Sequence, residues 1–131
     1  MIYYVLTATS LNYRLIRHKA IMFEDGGKWY VTHKNEDGTH LESLYDFLNA
    51  GRKVLRKSAH QCVSAHQIRI YHAEHKDEGF SLLSNNCEHY VSGFRKLNNE
   101  TVLIASPQVA TISAVVLLAI AAIVYYYRKR K

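Results

Sequence analysis

Cys87 follows Asn85 and Asn86 and precedes Glu88-His89-Tyr90-Val91, which puts a thiol at the start of a predicted helix. The first turn of a helix has backbone N–H groups without intrahelical partners and carries the positive end of the macrodipole. Both favour thiolate over thiol, and a nearby histidine strengthens the effect. The same N–H groups can stabilise the oxyanion of a tetrahedral acyl intermediate. A base is supplied if two distant histidines meet. Lys19 to Glu24 and Lys28 to Lys34 read as strands joined around Asp25-Gly26-Gly27. With Asp25-Gly26 as the two-residue turn, opposed residues sum to 51 and His18 lies directly opposite His33. A bulge, or a turn at Gly26-Gly27, would shift that register by one or two positions. Opposed side chains project from one face with Cβ atoms roughly 5 Å apart, so the hairpin makes a two-histidine cluster. Cysteine at a helix start with a histidine pair is the arrangement that covalent acyl transfer requires. On spacing alone, the same residues also fit a buried core cysteine in a chain with eight histidines.

The elements that must position these residues follow from hydrophobic periodicity. Ile2 to Thr9 is β-branched and aromatic and reads as a further strand. Asn35 to His40 is polar and reads as a loop. Leu41, Leu44, Tyr45 and Leu48 fall at helical spacing, with Gly51 as the stop. Lys53 to Arg56 is a short strand candidate. Ser64 to Lys76 is predicted helical, with Ile68, Tyr71 and His72 on one side. A second helix starts near Asn85 or Asn86 and buries Tyr90, Val91, Phe94 and Leu97.

The chain has 131 residues, 48% hydrophobic, with a formal charge of +6. In the run of 19 residues from Val109 to Tyr127 only Thr111 and Ser113 are not hydrophobic, and Arg128-Lys129-Arg130-Lys131 follows. Without those four the chain has 13 Lys and Arg against 11 Asp and Glu, so the basic balance belongs largely to the tail. A 19-residue helix spans roughly 28 Å, close to the hydrocarbon thickness of a bilayer. Tyr125, Tyr126 and Tyr127 stand where an interfacial aromatic belt belongs. The expected organisation is a domain over 1–100, a linker over 101–108, a transmembrane helix over 109–127 and a basic tail over 128–131. Met1 to Ser10 lacks the features of a signal peptide, so a single-pass tail-anchored protein with a cytosolic domain is expected, although the positive-inside rule favours the opposite orientation. Its organelle is left open among endoplasmic reticulum, peroxisome and mitochondrion. Cys62 and Cys87 are the only cysteines, which suits a reducing compartment. About 108 residues outside the apolar run hold one small domain, which excludes a multidomain enzyme and a Rossmann or TIM scaffold. Charge beside an apolar segment, not on a folded face, also counts against a nucleic-acid partner.

Asn86-Cys87-Glu88-His89-Tyr90-Val91 resembles the Asn-Cys-Glu-His-Phe-Val signature of the lecithin retinol acyltransferase-like family, most nearly its phospholipase A and acyltransferase group. Arg17-His18-Lys19-Ala20-Ile21 is similar to that family's Arg-His-Trp-Ala-Ile segment, and His33 matches its second histidine. Phe80, Leu82, Ser84 and Asn86 resemble the Tyr-x-Leu-x-Ser-x-Asn approach to the nucleophile. The resemblance covers roughly residues 13–128 and includes the C-terminal apolar segment. Ile2–Thr9 lacks the family's Gly-Asp strand, Lys19 replaces an aromatic, and the two histidines stand further apart, with the extra length placed in the Asp25–Lys28 turn. The resemblance implies an α+β, circularly permuted papain-like (NlpC-type) fold with an antiparallel sheet, packed helices and one C-terminal transmembrane helix. It implies Cys87 as nucleophile, His18 as general base and acid, and His33 as the residue that orients His18, with Asn86 and His89 in support. Attack on a glycerophospholipid ester would give an acyl thioester, resolved by water, an amine or a lysophospholipid. No metal or organic cofactor is implied.

Other readings compete. Cys62, His66, His72 and His75 have spacings that place metal ligands on one helix face, without the second tight pair such sites use. Arg52, Lys53, Arg56 and Lys57 read as a solvated face, or as a contact for anionic headgroups. An NlpC-type cysteine peptidase or amidase and a non-enzymatic membrane-associated regulator are the alternative functions. A histidine base further implies that activity falls as His18 is protonated, in the ordinary range of roughly 6–7.

Overall fold

The computed structural model describes residues 1–11, 17–81, 85–100 and 107–129, with the side chains of the last helix described from Leu118 onward. The elements run β1 (Ile2–Thr9), β2 (Arg17–Asp25), β3 (Lys28–Asn35), β4 (Gly38–Ser43), α1 (Leu44–Asn49), β5 (Val54–Gln61), α2 (Ala65–His75), α3 (Cys87–Leu97) and α4 (Pro107–Lys129). The strands form one antiparallel sheet in the order β4-β3-β2-β1-β5, so the α+β class and the antiparallel sheet expected from the sequence are present.

The β2–β3 hairpin turns at Gly26-Gly27, one residue later than expected. Both glycines take positive φ, 60° and 79°, as the two central residues of a primed turn must. Glycine adopts that region without the Cβ–carbonyl crowding that costs an ordinary residue roughly 1–2 kcal/mol, so the Gly-Gly pair outcompetes Asp25-Gly26. Opposed residues consequently run from Asp25↔Lys28 to Ala20↔His33. His33 therefore faces Ala20, and His18 is its diagonal neighbour on the same face. The turn holds no extra length either; the separation of the histidines lies in the strands themselves.

Residues 35–40, expected as a loop, form a tight hairpin. Asn35 pairs with Gly38, and the Asn35 side-chain oxygen accepts the Asp37 N–H at 2.9 Å. This draws Leu41 into β4, and α1 cannot begin until Ser43, whose hydroxyl caps it by accepting the Asp46 N–H at 3.1 Å. The short helix buries Phe47 and leaves Tyr45 and Leu48 exposed, contrary to the helical stripe expected from Leu41. The strand expected over 53–56 continues to Gln61, an edge strand paired only with β1 and exposed along most of its length.

Alternation along the strands separates two cores. On one face Tyr3, Val5, Ile21 and Phe23 pack against Ile68 and Tyr71 of α2 and Tyr90, Val91 and Phe94 of α3. On the other, Leu6, Ala8, Ala20, Met22 and Val31 pack against Phe47 of α1. The buried stripe of α3 ends at Phe94; Leu97, expected within it, is exposed.

Proline opens α4, where a missing N–H costs nothing, and the helix spans the segment expected to cross a membrane. Among the described residues no helix is long and apolar enough to cross a membrane. The apolar side chains before Leu118, residues 101–106 of the expected linker and residues 130–131 of the basic tail lie outside the described residues, as do Leu82 and Ser84.

Helices α2 and α3 meet at Gly93. A Cβ there would stand 2.6 Å from the hydroxyl of buried Tyr71, which is held by donating to the Tyr90 carbonyl at 2.5 Å. Gly93→Ala should lower stability by about 1–3 kcal/mol in urea unfolding, despite the roughly 1 kcal/mol that alanine gains as a helix former. In a Tyr71→Phe background the penalty should shrink, because the clashing oxygen is gone.

Candidate active site

Asn86 is the N-cap of α3. Its side-chain oxygen accepts the backbone N–H groups of Glu88 at 2.9 Å and His89 at 3.1 Å, and lies 2.9 Å from His89 Nδ1. Two of the N–H groups expected to face a reacting group are thus taken up by the cap. The ring of His89 packs onto the same oxygen and braces the helix start.

Cys87, the first helical residue, is buried. Its sulfur accepts the backbone N–H of Lys19 at 3.5 Å and lies 4.0 Å from the carbonyl of Arg17, to which the thiol donates. Those two groups flank His18 along β2, beyond Ala20↔His33, the last pair of the β2–β3 ladder. The nucleophile candidate therefore occupies the place where β3 parts from β2, against backbone that no longer pairs with that strand.

His18 and His33 come together as expected, although diagonally. His18 Nε2 and His33 Nδ1 are 2.9 Å apart, with the rings almost perpendicular at 87°. Both rings pack on Phe47 of α1. Both are buried, and burial is the main reason their pKa values fall. His18 is drawn down to about 3, with His33, Arg52 and His40 adding smaller repulsions. His33 is lowered by burial, an effect that Glu42 partly opposes. At neutral pH the pair is uncharged.

Two residues that sequence reasoning missed complete the cluster. His33 Nε2 lies 3.6 Å from Glu42 Oε1, and Glu42 in turn lies 3.8 Å from Arg52 Nη1. The contact with His33 is the chief cause that holds the Glu42 carboxyl below its usual range. Arg52, expected on a solvated face, has its side chain only 7% exposed, stacked 4.7 Å over Phe47 and donating to the Phe47 carbonyl at 3.3 Å. The signal for Glu42 was Asp37-Gly38, a hairpin dipeptide that points to a fourth strand. In the structure Glu36 and Asp37 form the turn, which puts Glu42 opposite Val31, the residue two before His33 on the same face.

The other chemically suggestive residues are dispersed. Cys62 donates to the Ser64 carbonyl at 3.7 Å, with its pKa raised by burial. His72 meets Thr32, whose hydroxyl is 2.6 Å from that of Tyr90, and His75 lies 2.8 Å from the Tyr71 carbonyl. Among the described residues no group of three or more His, Cys, Asp or Glu side chains could hold a metal ion, so Cys62, His66, His72 and His75 are not brought together as ligands. A cavity of about 360 Å³ between α2 and the far end of α3 includes none of Cys87, His18 and His33.

No protein-family model matches the chain, and neither a curated protein nor a solved structure matches it.

The lowered pKa values carry a sign. In the unfolded chain each histidine takes up a proton near 6.5, whereas in the folded chain burial lowers both and draws His18 down to about 3. The unfolded state therefore binds more protons in that window, and stability falls as pH drops from about 6.5 toward 3, by up to about 1.4 kcal/mol per pH unit for His18, with His33 acting in the same direction. Urea unfolding at pH 7, 6 and 5 should show this loss, and His18→Gln should flatten the slope.

Proposed function

We propose that the chain is a thiol phospholipase A1/A2 and acyltransferase, of the kind found in the lecithin retinol acyltransferase-like family. The observation that carries this reading is the 2.9 Å contact between His18 and His33 beside the β2 backbone on which the Cys87 sulfur rests. A helix-start thiol and a histidine held by a second histidine form the chemical set for acyl transfer through a thioester.

In this reading His18 removes the thiol proton as sulfur attacks the ester carbonyl of a glycerophospholipid. Because burial keeps His18 neutral, the resting pair is thiol and imidazole, and the proton moves during attack. The Lys19 N–H, already directed at the sulfur, favours the thiolate as it forms. Collapse of the tetrahedral intermediate breaks the ester C–O bond. The imidazolium of His18 returns the proton to the departing lysophospholipid, leaving an acyl thioester on Cys87. Water, deprotonated by His18, then releases a fatty acid; an amine or lysophospholipid acceptor in its place would receive the acyl group. Tethering by α4 over 109–127 suits a bilayer substrate, and the exposed Leu118, Ile120, Ile123 and Val124 in its described half favour an apolar environment. The circularly permuted papain-like arrangement belongs to the same proposal.

The full chain in detergent micelles, incubated with a phosphatidylcholine, should gain one acyl chain by intact mass. That adduct should be absent in Cys87→Ala and retained in His66→Ala. Acylation from a peptide amide but not from lipid would instead identify an amidase, and no adduct from either would overturn the reading. The acid limb of turnover should lie below the ordinary 6–7, because His18 resists protonation; a limb centred at 6.5 or above would contradict the neutral-base mechanism.

A further inference from the structure

We infer that Glu42 is a positioning residue of this site: its carboxylate selects the His33 tautomer that leaves Nδ1 of His18 as the proton-accepting nitrogen. The inference rests on the proposed thiol chemistry for its consequence, but its structural half stands on geometry alone.

His33 is almost fully buried, and its Nε2 has no hydrogen-bond partner within ordinary distance; the nearest charged group is Glu42 Oε1 at 3.6 Å. An ionised carboxylate only accepts hydrogen bonds. Opposite it an Nε2–H is attracted, whereas an Nε2 lone pair is repelled, and in a buried site that difference is weakly screened. A neutral imidazole carries one proton, so a proton on Nε2 leaves His33 Nδ1 as an acceptor. The partner of Nδ1 is His18 Nε2 at 2.9 Å, which must then be the donor. The remaining nitrogen of His18, Nδ1, is left with its lone pair. With the opposite tautomer every proton in the chain reverses. His33 Nδ1–H would donate to His18 Nε2, His18 Nδ1 would carry a proton, and no lone pair would remain to receive one from a thiol.

Arg52 adds to the contact with His33 in keeping the carboxylate charged at this site. Its guanidinium, 3.8 Å from Glu42, is held by the Phe47 carbonyl and ring, and Phe47 also supports both imidazoles. The strand that carries Glu42 is the one the sequence pattern concealed. Glu42 lies on β4 opposite Val31, and the diagonal step along β3 brings it to His33.

The test uses the full chain with ¹⁵N-labelled histidine. Long-range ¹H–¹⁵N correlations at pH 7 should show His33 as the Nε2–H tautomer and His18 likewise, each with an unprotonated Nδ1. In Glu42→Ala the His33 signals should move toward a mixture of tautomers, and in Glu42→Gln, which keeps an acceptor oxygen, they should stay near wild type. Turnover of phosphatidylcholine should follow: kcat falling about tenfold or more in Glu42→Ala at nearly constant KM, with partial recovery in Glu42→Gln. A wild-type His33 protonated on Nδ1, or tautomers and kcat that are unchanged in a folded Glu42→Ala protein, would overturn the inference. If the wild type forms no acyl adduct, the proposed activity fails while the tautomer spectra still decide the role of Glu42.

Discussion

One register governs this molecule. Once Gly26 and Gly27 form the turn, Asp25 meets Lys28 and every side chain of β2 and β3 is assigned a face. A slip of a single residue would send His33 through the sheet to the side of Tyr71 and Tyr90, away from His18. A slip of two, which is what separates the structure from the simplest reading of the turn, keeps both histidines on one face and converts a direct opposition into a diagonal. The diagonal places the rings at 87°, edge to face, and that geometry is what lets Nε2 of one meet Nδ1 of the other. The ladder ending at Ala20↔His33 also frees the backbone of Arg17 and Lys19 to face the sulfur of Cys87. A turn of two glycines thus acts on a helix start some sixty residues away.

The polar cluster is graded from dry to wet. The imidazoles, which can give up charge, sit inside and stay neutral; the Glu42 carboxylate, which keeps its charge, sits nearer the surface, with the buried Arg52 guanidinium beside it. An isolated charge at the position of His33 would lose most of its hydration with little to replace it. Placing the carboxylate one step outward supplies a directing field without that cost, and Phe47 fills the space between the rings and the guanidinium.

What the sequence disclosed, and what it hid, follows from the range of the interactions involved. The helix start at Asn86 with Cys87 behind it, the Tyr90-Val91-Phe94 stripe and the helix that begins after Ser64 depend on neighbours within four residues, and they appear where expected. The pairing of His18 with His33 was legible because a hairpin is nearly local. The fourth strand was harder to read: Leu41, Leu44 and Leu48 mimic helical periodicity and mask the Asp37-Gly38 turn signal, and the Asn35 side chain bonds into a turn that reverses the chain before Gly38. Arg52 looked solvated because its neighbours Lys53, Arg56 and Lys57 are. Its burial comes from packing on Phe47, a contact no periodicity encodes. Leu97 kept the period of the stripe but outran the sheet that the stripe covers.

The outer edge of β5 sets how the molecule behaves in company. It pairs with β1 on one side only, and Val54 and Leu55 stand open on it, so its free backbone groups offer a template to any extended chain. Lys53, Arg56 and Lys57 crowd that same edge with positive charge. Such residues act as gatekeepers: two copies approaching edge to edge bring like charges together before their ladders can join. That repulsion is sensitive to screening, and salt that masks those lysines and arginines weakens it at the β5 edge.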